Sequence, residues 1–277
     1  MIDQAIIIYC ICDEVCKSLG HKDDVQARMT TAEVMTFAIL AATLFNCDYK
    51  KTRLLVDYHR YFQQLLSHSQ LVRRVHRVPE EAWSRVFVAL QFLKRTHSEK
   101  TFIVDSFPVK AYENHKSFRA RIFKGKQYLG RAASKKQYFF GIKVHMIVTQ
   151  EGTPVEFMFT PGSTADIKAF KSMTIGLPEG SVLLADRAYT DYDFEGDLLE
   201  IEKVKLLAKR RKNALRQHSP SEEFLLQMQR NRIEAVFSSI TSRMPKHLKV
   251  RTEKGLYLKM TFFILAYMVQ HYYSATA

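Results

Sequence analysis

Asp105 and Asp186 each close a short apolar run, Thr101-Phe102-Ile103-Val104-Asp105 and Val182-Leu183-Leu184-Ala185-Asp186. Runs of this length and composition read as buried β-strands. A carboxylate at the end of such a strand is costly to desolvate unless something pairs with it. Two of them invite a cation, and hard oxygen ligands suit Mg²⁺ or Mn²⁺. A third carboxylate, Glu234, lies in a segment where Ile233, Val236, Phe237, Ile240 and Met244 recur at helical spacing. It stands one residue, about 100° of helical turn, from Ile233, at the border of the buried stripe. Arg230 lies four residues earlier on the same column, so a plain surface ion pair is the competing reading of Glu234. Two divalent ions held by Asp105, Asp186 and Glu234 would suit in-line phosphoryl displacement. The spacing by itself implies only metal-dependent phosphodiester chemistry.

The elements that must position these groups change character at Thr101. Before it, apolar residues recur at helical spacing through Ile6 to Val15, Val34 to Phe45, Leu54 to Leu66 and Trp83 to Leu93. Thr30 and Glu33 form a capping box, and Pro79-Glu80-Glu81 opens another helix. From Thr101 onward strands alternate with helices. Strands are predicted at 101–105, 139–149, 155–160, 182–186 and 204–208. Helices are predicted at 166–173, 192–200, 221–243 and 257–272. That alternation implies an α/β fold, a sheet with helices on its faces. The expected division is a helical region, 1–98, and an α/β domain, 99–277, with a basic insertion at about 110–138.

Charge points to the partner. The 277 residues hold 42 Lys plus Arg against 28 Asp plus Glu, a formal net of +14. Such a surplus favours a polyanion, and nucleic acid is the commonest one. Within the basic insertion lie Lys116, Arg119, Arg121, Lys124, Lys126, Arg131 and Lys135, interspersed with Tyr112, Phe118, Phe123 and Tyr128. Such a segment can track phosphates and stack on unpaired bases. A second cluster runs from Lys209 to Lys212, and Arg73, Arg74 and Arg77 sit in the helical region. Lys143 and His145 alternate on one strand and share a face; both are candidate DNA contacts, although a satisfied structural histidine is the blander reading of His145. Asp166 suits a helix start, where it can pair with a basic group. Cys10, Cys12, Cys16 and Cys47 lack zinc-like spacing and read as reduced core cysteines. The apolar runs are too short to span a bilayer and no signal peptide is apparent, so a protein acting on DNA in the cytoplasm, without membrane, is expected.

The combination resembles the DDE transposases of bacterial insertion sequences, within the ribonuclease H-like superfamily. The motifs that carry the resemblance are Ile103-Val104-Asp105-Ser106, Asp186-Arg187-Ala188-Tyr189 and Arg230-Asn231-Arg232-Ile233-Glu234. Gly141-Ile142-Lys143-Val144-His145 and Pro161-Gly162-Ser163-Thr164-Ala165-Asp166 look similar too. The likeness covers roughly 100–272, and the helical region looks like that of the insertion-sequence 982 group. Two positions depart from related enzymes: Gln227 stands where a Tyr is usual and Thr241 where a Lys is usual. Lys246 or Lys249 would have to replace that Lys.

The resemblance implies a ribonuclease H-like mixed sheet flanked by helices. It implies catalysis by Asp105, Asp186 and Glu234 with two Mg²⁺ or Mn²⁺ ions, hydrolysis at a transposon end, and transfer of the freed 3′-hydroxyl to target DNA. Arg187 and Arg230 become candidate phosphate contacts. A homodimer is expected because two terminal inverted repeats must be joined. The competing readings are a ribonuclease H-like endonuclease without strand transfer, and a DNA-binding protein that has lost catalysis.

Overall fold

The computed structural model describes residues 2–94, 96–112, 122–132, 137–245, 248 and 250–276. The chain divides into two compact units, Met1–Lys94 with Ser239–Ala277, and Arg95–Ser238. The expected boundary near residue 98 therefore needs a correction. The C-terminal segment clusters with the N-terminal helices, because its apolar surface finds their core.

The helical unit holds α1 (Ile2–Ser18), α2 (Thr31–Phe45), α3 (Tyr49–Tyr58), α4 (His68–Arg77), α5 (Glu80–Leu93) and the C-terminal α9 (Glu253–Thr276). The Thr30–Glu33 capping box forms as its sequence predicts, and α2 ends on Asn46 in the left-handed region. Residues 31–43 of α2 are buried all round, as befits a central helix. From α9, Trp83 of α5 receives Phe262 at 4.7 Å between ring centroids, and Gln270 donates to the Thr43 carbonyl. The single helix expected from 54 to 66 is instead two, α3 and α4. The signal for α4 is a second capping box, Ser67 with Gln70, followed by buried Leu71 and Val75.

The other unit is built on six strands: β1 (Thr101–Tyr112), β2 (Leu129–Ala132), β3 (Gln137–Thr149), β4 (Pro154–Pro161), β5 (Val182–Ala185) and β6 (Lys205–Ala208). β1 lies antiparallel to β3 on one side and parallel to β5 on the other. β6 extends the parallel part, and β4 pairs antiparallel with β3. β2 pairs with the first residues of β3, on the edge that β4 occupies further along. The helices of this unit are α6 (Asp166–Phe170), α7 (Tyr192–Ile201) and most of α8 (Pro220–Ser242). This mixed sheet with its flanking helices is a ribonuclease H-like α/β fold. Among the described residues no helix is long and apolar enough to cross a membrane.

Two strand expectations change. β1 does not stop at Asp105 but continues to Tyr112, and four residues of the expected basic insertion form β2. Beyond Val104 only β3 borders β1, so Pro108 can turn its missing N–H toward the open side. Gly141 lies opposite the register shift between Lys110 and Tyr112. A Cβ there would stand 2.1 Å from the Val109 carbonyl oxygen, so no larger residue fits that close approach.

Strand alternation divides the sheet's two faces. Phe102 and Val104 join Leu183, Ala185, Leu206, Phe170 of α6 and Leu198 of α7 in one core. Ile103, Asp105 and Phe107 point the other way. Phe107 packs against Phe237 of α8 at 4.6 Å, which puts α8 on the face that Asp105 shares.

Candidate active site

Strand register brings the two aspartates together. The parallel ladder pairs Val104 with Ala185, and the next residue of each chain is Asp105 or Asp186. Neighbouring strands run about 4.8 Å apart, so the carboxylates sit side by side where the two chains part. Each is oriented by backbone. Ser106 N–H donates to Asp105 Oδ1 at 2.7 Å, and Ala188 N–H donates to Asp186 Oδ1 at 2.5 Å. The second bond caps the short 3₁₀ turn Arg187–Tyr189. Asp105 is half-buried and Asp186 exposed.

Both aspartates line a cleft of about 290 Å³, together with Ile103, Lys209, Leu226, Gln227 and Asn231. Gln227 and Asn231 precede Glu234 by seven and three residues on α8, so all three share one column of that helix. Glu234 is exposed and is not part of the cleft lining. Gln227, which departs from the related enzymes, thus occupies the cleft wall. Its column on α8 is the sequence signal for that role, and for Asn231's.

Behind Asp105 lies a polar layer. Ser106 Oγ donates to Asp166 Oδ1 at 2.8 Å, and Lys143 Nζ donates to the same oxygen at 3.0 Å and to the Thr164 carbonyl at 2.9 Å. His145 is fully buried, with Nε2 2.9 Å from Thr160 Oγ1 and Nδ1 3.8 Å from Asp166 Oδ1. Asp166 therefore has the basic partner expected of it. Lys143 and His145, expected among the DNA contacts, face inward and are engaged within the fold. Burial pushes the His145 imidazole down to about 4; Asp166 pulls it up and Lys143 adds to the push. Below the ordinary histidine value of 6.5 the unfolded chain takes a proton that the folded chain refuses. Stability should therefore fall as pH drops from about 6.5 to about 4, by about 3 kcal/mol in all. Urea midpoints across that range should show the slope, and His145→Gln should remove most of it.

The remaining basic candidates separate by position. Lys124, Lys126 and Arg131 are exposed, as is Arg187 beside Asp186. Lys209 reaches the cleft, whereas Arg210 turns inward to a bidentate pair with Glu195. In the helical unit Arg73 and Arg77 are exposed, but Arg74 is engaged with Asp23 and the Met29 carbonyl. Lys116, Arg119, Arg121, Lys135, Lys246 and Lys249 lie outside the described residues, and so does the side chain of Arg230. Phe123, expected to stack on bases, is fully buried against Tyr128 at 4.8 Å and anchors the segment instead. Cys12 and Cys16 are buried in the helical unit, Cys47 is half-buried and Cys10 is exposed.

The aspartate pair suits a hard divalent cation. Among the described residues no three His, Cys, Asp or Glu side chains already form a metal cage. Mg²⁺ is commonly held by only one or two carboxylates, with waters and substrate phosphates completing its shell. Two oriented carboxylates at the rim of an open cleft, with Lys209 beside them, fit that pattern. Phosphate-bearing substrates are the class this donor set can serve.

The comparison with known families agrees with this chemistry. A family described as the transposase DDE domain matches residues 96–269. No match is found among curated proteins. With the match extending over well over half of the sequence, including both aspartates and α8, the chain belongs to the transposase DDE domain family.

Proposed function

We propose that this protein cuts DNA at a transposon end and joins the freed 3′-hydroxyl to target DNA, acting as a homodimer on paired terminal repeats. The observation that carries the reading is the Val104–Ala185 register, which sets Asp105 and Asp186 side by side at the cleft. Asp105 and Asp186 would hold the divalent ions, Mg²⁺ or Mn²⁺, with Glu234 as the third ligand from α8. Bound there, two ions supply an activated oxygen nucleophile and neutralise the charge on the leaving oxygen.

The chain's own residues do the rest. Ser106 and Ala188 fix the aspartate oxygens through backbone N–H groups. Lys209 on the cleft wall and exposed Arg187 supply cations for the scissile and flanking phosphates. Lys124, Lys126 and Arg131 extend the positive surface available to the DNA backbone, a contact that should weaken steeply with salt. Leu226 and Ile233 close one side of the cleft and limit the access of bulk water. For Glu234, the supporting facts are its column, shared with Gln227 and Asn231, and the position of α8 on the Asp105 face.

The test is a supercoiled plasmid carrying the DNA that brackets this reading frame, incubated with the protein and target DNA. With Mg²⁺, nicks and joined products should map to the bracketing repeats; with EDTA both should vanish. Metal-dependent nicks without joined products would favour an endonuclease lacking strand transfer. Binding without either would mean a protein that has lost catalysis.

A further inference from the structure

The strongest feature left unexplained is Tyr189. It follows Asp186 by three residues and is fully buried, its ring set edge-on against Phe170 at 5.6 Å. Its hydroxyl has no hydrogen bond of ordinary geometry among the described residues. A buried O–H left this way costs about 1–3 kcal/mol, so its retention calls for a reason. Its surroundings supply one. Burial pushes the phenol well up, and the charges of Asp105, Asp166 and Asp186 push it further; the Ser106 hydroxyl offsets this only in part. The proton therefore stays on Tyr189, facing three carboxylates.

Around it runs a continuous polar chain. Lys143 holds Asp166, Asp166 accepts from the Ser106 side chain, and the Ser106 backbone holds Asp105. Ser106 alternates with Asp105 along β1, so its side chain points to the opposite face. It joins the buried layer below the sheet to the carboxylate above. Beyond Val104 no strand lies between β1 and the turn that carries Tyr189, which leaves the hydroxyl a path to the same carboxylate.

We propose that Tyr189 is a positioning residue for the aspartate pair, donating its hydroxyl proton to Asp105 in the working state while the Lys143–Asp166–Ser106 chain holds the other side of that carboxylate. The inference rests on Asp105 being a metal-holding, catalytic carboxylate. A second fixed hydrogen bond would confine Asp105 to one rotamer and lower the cost of assembling the ion site. The outer partners of a metal ligand commonly act in this way.

Tyr189→Phe keeps the ring and removes only the orphan oxygen. A purely structural hydroxyl, being unsatisfied, would leave Tyr189→Phe equally stable or more so, with unchanged chemistry. The positioning role predicts the same stability but a kcat for plasmid nicking lower by about tenfold, the worth of a hydrogen bond to a charged group. The Kd for plasmid DNA should not change. The Mn²⁺ concentration for half-saturation, read from the loss of the free-ion electron paramagnetic resonance signal, should rise several-fold. Ser106→Ala, which cuts the link to Asp166, should shift the same two quantities in the same direction. Wild-type kcat and wild-type Mn²⁺ half-saturation in Tyr189→Phe would overturn the proposal. If wild-type protein does not nick the plasmid, the proposed function fails, while the Mn²⁺ comparison still decides the role of Tyr189; if wild-type protein binds no Mn²⁺, both fall.

Discussion

Asp105→Ala is expected to reduce metal-dependent nicking by about a thousandfold or more while plasmid DNA binds as tightly as to the wild type. The size follows from the charge stabilisation that a metal site contributes, several kcal/mol, at about 1.4 kcal/mol for each factor of ten. Binding is spared because the cations that meet phosphate, Lys209, Arg187 and the exposed Lys124, Lys126 and Arg131, are untouched. Fold stability should not fall. Asp105 and Asp186 are like charges on adjacent chains, and two anions about 5 Å apart repel each other. Removing one relieves that repulsion, so the melting temperature should hold or rise, the usual relation between a strained site and its scaffold. The combination of lost nicking, retained binding and retained stability separates chemistry from folding. An Asp105→Ala protein that nicks at the wild-type rate would end the assignment; one that fails to bind DNA would mean Asp105 holds up the fold. Glu234→Gln, assayed alongside, tests the third ligand. Nicking lowered about as far as in Asp105→Ala would support it, and an unchanged rate would leave Asn231 on the cleft wall as the next α8 candidate.

The site was legible in the sequence to the extent that local patterns fix it. A five-residue apolar run ending in Asp announces a strand and a costly carboxylate, and both aspartates were found that way. Their adjacency was not local. It depends on β1 and β5, some 80 residues apart, pairing in parallel with Val104 against Ala185. The stripe of α8 located Glu234 at the border of the buried face, but only the packing of Phe237 on Phe107 shows which sheet face that border meets.

Misreadings have equally particular causes. The interleaving of aromatic and basic residues from 110 to 138 fits a base-stacking loop and a strand anchored by a buried Phe123 equally well. Alternation correctly paired Lys143 with His145 on one face, but alternation cannot tell an inward face from an outward one. The long partnership of α9 with α2 leaves no mark on either segment beyond apolarity. Tyr189 was visible within the Asp186-Arg187-Ala188-Tyr189 motif, yet nothing short of its burial distinguishes it from a core aromatic.

The second large effect is expected from Arg210→Ala, which should destabilise the α/β unit by about 3 kcal/mol or more. Arg210 follows β6, and its guanidinium meets both carboxylate oxygens of Glu195 on α7 while lying 4.7 Å over the Tyr192 ring. The two side chains are 5% and 10% exposed, so the pair is dry. Truncating one partner of a buried pair leaves the other charge stranded, at a cost of about 3–5 kcal/mol. Replacing both partners by apolar groups of similar volume should instead be close to neutral, because the desolvation of two charges is avoided. The urea midpoint should thus fall sharply for Arg210→Ala and recover for Arg210→Met with Glu195→Leu. Equal losses in both proteins would mean that stacking on Tyr192, not charge pairing, holds this corner. The consequence reaches the cleft through one residue. Lys209 N–H donates to the Ala185 carbonyl at 3.1 Å, so the Lys209 that faces phosphate is tied directly to the residue preceding Asp186. A loosened Arg210 should therefore lower nicking beyond what the unfolded fraction explains, and the double apolar replacement, which restores the anchor without the charges, should bring that activity back with the stability.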